Sequence, residues 1–390
     1  MTAPLLERVR RRLVDDGLTT VPDSARVAMA VRQEGVILGD ESLLDLVTAL
    51  RDELGGLGPL QSFMLEPGVT DVLVNGPHEV WIDRGAGLEL TGVRFADGAA
   101  IVRLAQRLAS LAGRRLDEAS PYVDARLRDG TRLHAVIPPI ARDGALISLR
   151  IPHRRGFDMD DLMALGAFDA RGAQWLTAIV EARLAFLISG GTGSGKTTLL
   201  ATLLERVDPL HRILLVEDSA ELQPRHPHVV RLEARPANLE GAGQVTLRDL
   251  IRQALRMRPD RVVVGEVRGP EVVDLLSAMN TGHEGGCGTV HANSPTDVPA
   301  RLESLGLMAG LPRDAVHALI AAGVHVVIHL ERSPRCVSAV HILRLEGTGT
   351  SGTFATTVPA LVRGTAGFVE AEGAADLAEL IERGGVEPPR

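Results

Sequence analysis

The sequence predicts an α/β fold: a mostly parallel sheet flanked by helices, preceded by a smaller α+β domain and an N-terminal helical segment. Three observations predict it. From Leu184 onward, short apolar runs alternate with helix-period segments, as parallel strands joined by crossover helices do. The first of these runs, Leu184-Ala185-Phe186-Leu187-Ile188, passes through a glycine-rich loop directly into a helical stretch. Upstream, short strands surround one amphipathic helix, the pattern of a small α+β unit.

The elements follow in order. Residues 1–57 read as helical over 5–15, 24–34 and 42–54, and the glycines at 55, 56 and 58 with Pro59 break the last helix. The first of these segments carries Arg8, Arg10, Arg11 and Arg12 beside an apolar face, which predicts a short docking helix with a solvated basic face. Residues 58–151 form the α+β domain, with strands at 71–75, 79–83, 122–127, 132–137 and 146–151 and a helical stripe of Ile101, Leu104, Ala105, Leu108 and Leu111. Residues 152–168 read as a linker. The α/β core spans 169–346, with further strands at 213–216, 229–232, 262–264, 288–291, 324–330 and 337–345. Helices are expected at 246–257 and 270–279, and Ser294-Pro295 reads as a helix start with serine as N-cap. In the C-terminal extension, 347–390, the Gly- and Thr-rich part 347–372 is expected as loop or edge structure and 374–383 as a last helix.

Composition excludes several classes. A net charge of −8 and 3 % aromatic residues argue against a protein that coats nucleic acid, so no direct nucleic-acid partner is expected. The 2 cysteines, Cys287 and Cys336, lie far apart, which fits a reducing cytosol and leaves no cysteine-rich zinc module. No apolar run is long enough to span a membrane.

Chemistry concentrates in the core. Gly190-Gly191-Thr192-Gly193-Ser194-Gly195-Lys196-Thr197-Thr198 has the composition and context of a phosphate-binding loop. Its glycines allow backbone N–H groups to turn toward a polyphosphate, Lys196 is expected on the β- and γ-phosphates, and the Thr197 hydroxyl on Mg²⁺. The run Arg261-Val262-Val263-Val264-Gly265-Glu266 delivers a carboxylate at a strand's C-terminal end, where a metal-associated acid belongs. A second strand, Ile213-Leu214-Leu215-Val216, exits into Glu217 and Asp218, with Glu221 beyond; a carboxylate there can orient attacking water. Two acidic exits beside such a loop point to ATP hydrolysis by a RecA-like core. His283 and His291 bracket the run Gly285-Gly286-Cys287-Gly288, and a histidine at a strand end can hydrogen-bond a terminal phosphate. This run is expected to loosen its loop and to leave Cys287 near the nucleotide.

Five stretches together resemble the type II/IV secretion ATPases, and within them the TadA/CpaF-like branch of tight-adherence (Flp) pilus assembly. They are the Walker A loop at 190–198, an Asp box at 215–222, a Walker B segment ending Gly265-Glu266-Val267-Arg268-Gly269, Thr281-Gly282-His283, and a His box Gly288-Thr289-Val290-His291-Ala292-Asn293-Ser294. In the front half, 69–75, 113–117, 120–126, 129–132 and 147–150 look like the family's PAS-like domain. The resemblance implies a cytoplasmic ATPase ring, usually a hexamer, held peripherally at the inner face of the cell membrane by platform proteins of a pilus or secretion system. It implies Glu217 as the base that positions water, Glu221 as a second Asp-box carboxylate, and Glu266 as the Walker B acid at Mg²⁺. Arg268 would pair within the Walker B turn, His291 would sense γ-phosphate, and His283 would support it. Arg132 and Arg150, with Arg126 a weaker match, correspond to the family's charge-stabilising arginines. Flp-type pilus assembly is the preferred system. A type IV secretion or conjugal-transfer ATPase, a RecA-like DNA translocase and a nucleotide-binding scaffold are the alternatives.

Overall fold

The computed structural model describes residues 8, 9, 12, 24–36, 39, 42, 56–85, 87–127, 129–151, 156–235, 237, 242–280, 282, 284–332, 334–347, 353–365 and 367–389. The chain divides into two compact units, Met1–Arg154 and Arg155–Arg390.

In the first unit, α1 (Ser24–Gln33) and α2 (Gln61–Leu65) precede β1 (Asp71–Gly76), β2 (Glu79–Asp83) and β3 (Leu88–Leu90); then come α3 (Gly98–Leu111), β4 (Tyr122–Arg126), β5 (Arg132–Val136) and β6 (Leu146–Arg150). The strands make one six-stranded antiparallel sheet in the order β3-β2-β1-β6-β5-β4. α3 starts where the Asp97 carboxylate accepts the Ala100 N–H at 2.7 Å. Its stripe of Ile101, Leu104, Ala105 and Leu108 packs on alternate strand residues, among them Val72, Val74, Leu133 and Leu149, to form this unit's core. The expected helices at 5–15 and 42–54 fall almost wholly outside the described residues. β3 is an addition: its three residues are all exposed and too few for an alternating pattern to be recognised.

The second unit begins with α4 (Met159–Ala164) and α5 (Ala170–Glu181), followed by β7 (Phe186–Gly190), α6 (Lys196–Leu204), β8 (Ile213–Glu217), β9 (Val229–Glu233), α7 (Leu247–Ala254), β10 (Arg261–Val267), α8 (Glu271–Asn280) and β11 (Cys287–Val290). After these come α9 (Val298–Met308), α10 (Arg313–Gly323), β12 (Val326–Arg332), β13 (Arg335–Gly347), β14 (Thr353–Gly364), β15 (Gly367–Glu370) and α11 (Ala374–Arg383). The sheet has nine strands in the order β15-β14-β13-β12-β7-β11-β10-β8-β9. From β12 to β9 all neighbours pair in parallel, whereas β13, β14 and β15 add antiparallel. β7 and β8 are buried at every residue, which explains their unbroken apolar runs. Phe186 and Ile188 pack with α5 and α6 on one face; Leu187 packs with α7–α10 on the other.

One expectation needs correction. The segment read as a linker at 152–168 contains α4, started by a reciprocal capping box between Asp158 and Asp161. A helix this short offers too few turns for periodicity to show. Within 347–372, expected as loop or edge structure, the described residues form strands at one edge of the sheet: β14 is a long arm paired on both sides. Its Pro359 sits opposite His341, where the β13 register shifts and a missing N–H costs least. At Ser294 the backbone is extended as an N-cap requires, but the hydroxyl pairs with Thr296 Oγ1 at 2.8 Å instead of a helix N–H, and a 3₁₀ turn precedes α9.

Burial lowers the His341 imidazole from its ordinary 6.5 to about 4, and the nearby His329 pushes it the same way. The folded chain therefore refuses a proton that the unfolded chain accepts as pH falls from 6.5 toward 4, so stability drops through that window and levels below it. His341 Nδ1 has no hydrogen-bond partner among the described residues, so an apolar replacement leaves nothing orphaned. The urea midpoint is expected to fall across this window, with a shallower fall in His341→Leu; identical slopes would exclude His341 as the acid-sensitive group.

Candidate active site

The glycine-rich loop leaves β7, the central strand of the nine-stranded sheet. Gly190 ends β7 at φ +150, and a Cβ there would lie 2.5 Å from the Leu330 carbonyl oxygen of β12, so only glycine allows this approach. Gly195, in the left-handed region at φ +97, turns the chain into α6. The loop brings residues 190–198 together at the C-terminal edge of the sheet. Lys196 is buried, and its Nζ donates to the Gly190 and Gly191 carbonyls at 2.9 and 2.8 Å. Burial lowers its pKa, with the Glu266 carboxylate pulling the other way.

The acidic exits differ in environment. Glu217, at the end of β8, is buried, and its Oε1 accepts the Glu221 and Leu222 N–H groups at 2.9 and 3.0 Å. It thereby holds the turn that carries Asp218 and Glu221; the Glu221 residue itself is exposed. Glu266 lies beyond an irregular register between β10 and β11, where the Thr289 hydroxyl donates to the Gly265 carbonyl at 2.6 Å. Its two oxygens take different partners: Oε1 is 2.7 Å from His291 Nε2, and Oε2 is 3.1 Å from the Arg268 guanidinium. Arg268 also reaches Asp218 at 3.2 Å, which joins the turns after β8 and β10.

His291 follows β11 and closes the network. Its Nδ1 lies 3.5 Å from Lys196 Nζ while Nε2 faces Glu266. Burial lowers its pKa, and Lys196 lowers it further, against Glu266. A neutral ring protonated on Nε2 satisfies both neighbours, donating to Glu266 and accepting from Lys196. The lysine of the loop after β7 and the acid of β10, one strand beyond β11, are thus joined through one imidazole.

Three supports escaped sequence reasoning. The Glu271 carboxylate is buried and accepts the Arg268 and Gly269 N–H groups at 2.8 and 2.7 Å, fixing the turn from which Arg268 projects. Ser189 Oγ and His329 Nδ1 meet at 2.8 Å, and His329 also hydrogen-bonds the backbone of Asn293 in the His box. Thr289 is the third. Thr289 and the Ser189–His329 pair act across strands, and for Glu271 only the preference of Glu for a helix's first turn gave a hint. His283 lies outside the described residues. Cys287 is not beside the loop: it starts β11 opposite Phe186, at the other end of the strands from Gly190, and burial pushes its thiol up to about 12. The preceding glycines pack on the buried Arg261 guanidinium, which a Cβ on Gly285 would meet at 2.6 Å.

In the first unit, register places Arg126, Arg132 and Arg150 side by side on β4, β5 and β6, with Asp71 of β1 next in the row. Arg150 is exposed and lies 3.7 Å from the Asp71 carboxylate.

The pattern of the type II/IV secretion system protein family matches residues 53–380. The chain belongs to the type II/IV secretion ATPases. This secretion ATPase is 56 % identical over 302 residues to a Mycobacterium tuberculosis protein provisionally named for conjugal transfer, covering 76 % of this chain and 86 % of that one. It is 30 % identical over 309 residues to the conjugal transfer protein TrbB of Rhizobium radiobacter, covering 77 % and 91 %. The solved Legionella pneumophila ATPase DotB shares the fold, with a TM-score of 0.50 at 18 % identity over 88 % of this chain and 86 % of that one. No helix among the described residues of the secretion ATPase is long and apolar enough to cross a membrane.

A Cβ on Gly265 would stand 2.7 Å from Glu217 Cγ, so Gly265→Ala displaces that carboxylate without touching the loop. Turnover in Gly265→Ala is expected to fall roughly 10- to 100-fold with nucleotide affinity retained. Wild-type turnover would show that Glu217's position is immaterial.

Proposed function

We propose that this ATPase binds Mg-ATP on residues 190–198 and uses the hydrolysis cycle to drive a ring-shaped secretion motor, a hexamer, peripheral to the cytoplasmic face of the membrane. The chain of contacts from Lys196 through His291 to Glu266 carries this reading, because it couples the loop to the neighbouring acid through one histidine. Thr197, in the first turn of α6, and Glu266 supply hard oxygen donors suited to Mg²⁺, which favours few protein ligands plus phosphate and water. When bound, Mg²⁺ neutralises charge developing on the phosphate oxygens. Glu217 positions the attacking water, and Glu221 is the second acid of that turn. Once Lys196 swings from its two carbonyls to a phosphate, His291 Nδ1 loses its donor. The imidazole can then report the γ-phosphate to Glu266 and Arg268. Positioning and charge neutralisation, not covalent chemistry, supply the acceleration.

Phosphate release by the full chain tests this. Lys196→Ala, Glu266→Ala and Glu217→Gln are each expected to lose about 100-fold or more in turnover. Glu217→Gln retains an oxygen able to accept the Glu221 and Leu222 N–H groups, so its loss reports charge and not a collapsed turn. Equal release from all four proteins would end the enzyme reading for this site.

Arg132 and Arg150 are proposed to stabilise γ-phosphate charge, on the same or a neighbouring subunit. Arg132→Ala and Arg150→Ala are expected to lower kcat roughly 10³-fold, with ATP affinity changed far less. Matched losses in kcat and affinity would instead make them general binding residues.

The conjugal-transfer names of the relatives favour a type IV secretion or conjugation machine. The motif resemblance to the TadA/CpaF-like branch supports Flp pilus assembly as the second reading. Co-purification from membranes with Glu217→Gln separates them by the partner recovered: coupling proteins, or a pilus platform.

A further inference from the structure

The described side chains around the loop include one cation that the scheme above leaves unused. Arg335 opens β13, directly across the hairpin from Arg332. Its Cδ and Cγ lie 3.7 and 3.9 Å from where a Cβ on Gly195 would stand, so its methylenes rest on the loop backbone immediately before Lys196. Val337, two residues on and therefore on the same face of β13, is buried in the core that α6 shares. Arg335 consequently stands on the face of the sheet where the loop turns into α6. The residue is exposed, and neither an ion pair nor a hydrogen bond engages its guanidinium among the described residues. Several other arginines of this unit are tied: Arg225, Arg248, Arg252, Arg268 and Arg344 each meet carboxylates. The arm that carries Arg335 is not loose, because Cys336 and Val337 behind it are buried and paired with Glu331 and Leu330.

We propose that Arg335 is a nucleotide-binding residue supplied by the same chain as the loop, its guanidinium gripping the phosphates of the nucleotide seated on residues 190–198. The proposal rests on the nucleotide reading of that loop. The chemistry suits it. A guanidinium presents a planar fork that takes two phosphate oxygens at once, and it keeps its charge under all working conditions. Lys196 brings a single ammonium from inside the loop; Arg335 brings a second positive group from outside it. The glycine at 195 serves both, since it permits the left-handed turn and leaves its outer side bare for the arginine stem. Arg335 differs from Arg132 and Arg150 in belonging to the unit that carries the loop, so it would act on bound ADP as well as ATP.

Fluorescent ADP titrated into the full chain with Mg²⁺ tests the proposal in wild type, Lys196→Ala, Arg335→Ala, Arg335→Gln and Arg335→Lys, with thermal melts alongside. Arg335→Ala and Arg335→Gln are expected to bind about tenfold more weakly, with Arg335→Lys between them and wild type, and melting unchanged. The wild-type affinity should also weaken more steeply with added KCl than that of Arg335→Gln. Wild-type affinity in both Arg335→Ala and Arg335→Gln, while Lys196→Ala loses binding, would overturn the proposal and leave the loop reading intact. Absence of binding by wild type itself would overturn the loop reading on which the proposal stands.

Discussion

The burial of β7 between β12 and β11 is the constraint on which the site depends. Phe186 and Ile188 enter one core and Leu187 the other. A slip of one residue would exchange the two sets and turn Ser189 and its neighbours to the wrong face. Each of these apolar side chains contributes about 2–3 kcal/mol by leaving water, so the register is held firmly. The end of the strand is therefore fixed as well. Gly190 then meets the Leu330 carbonyl at a distance that no side chain could tolerate. The loop starts from this point, and its geometry is inherited from the sheet.

Around that fixed exit Lys196, Glu266, His291, Arg268 and Asp218 are joined in one network. Lys196 trades hydration for two loop carbonyls. Glu266 divides its oxygens between a neutral histidine and an arginine, and that arginine is shared with Asp218. Such a network couples three strand exits, β8, β10 and β11, to the loop after β7. A change at any one, such as the lysine turning to a phosphate, removes a hydrogen-bond partner from the next. A hydrogen-bonded network of this sort transmits a local event because each member's partner constrains the next. The anchors behind them, Glu271 on its turn and His329 between Ser189 and Asn293, limit how far each piece can relax.

Much of this was legible before any coordinates. β7, β8 and β10 announced themselves as unbroken apolar runs because both faces are covered, and α3 by its spacing of three and four. Lys196 was read as a loop residue and Glu217, Glu266 and His291 as strand-end residues, and the fold carries them to one edge of the sheet. The failures share a cause. β3 has three residues and α4 six, so neither is long enough to show a repeating contrast of apolar and polar positions. Cys287 was misplaced because sequence proximity to His291 says nothing about which end of a strand a residue occupies. A four-residue strand is long enough to carry it away from the loop.

Sequence by itself determined the order of elements, the type of loop, the acids that follow the strands and membership of the secretion-ATPase family, because each is written in local composition and spacing. The tertiary structure alone decided which partners those residues take. Glu217 spends an oxygen on its own turn, Arg268 bridges two acids, His291 stands between lysine and carboxylate, and Arg335 arrives from a hairpin more than a hundred residues downstream. The reason is physical: periodicity reports the environment of one segment, whereas a hydrogen bond between strands depends on their order and register. Those are properties of the packed sheet and not of any stretch of chain within it.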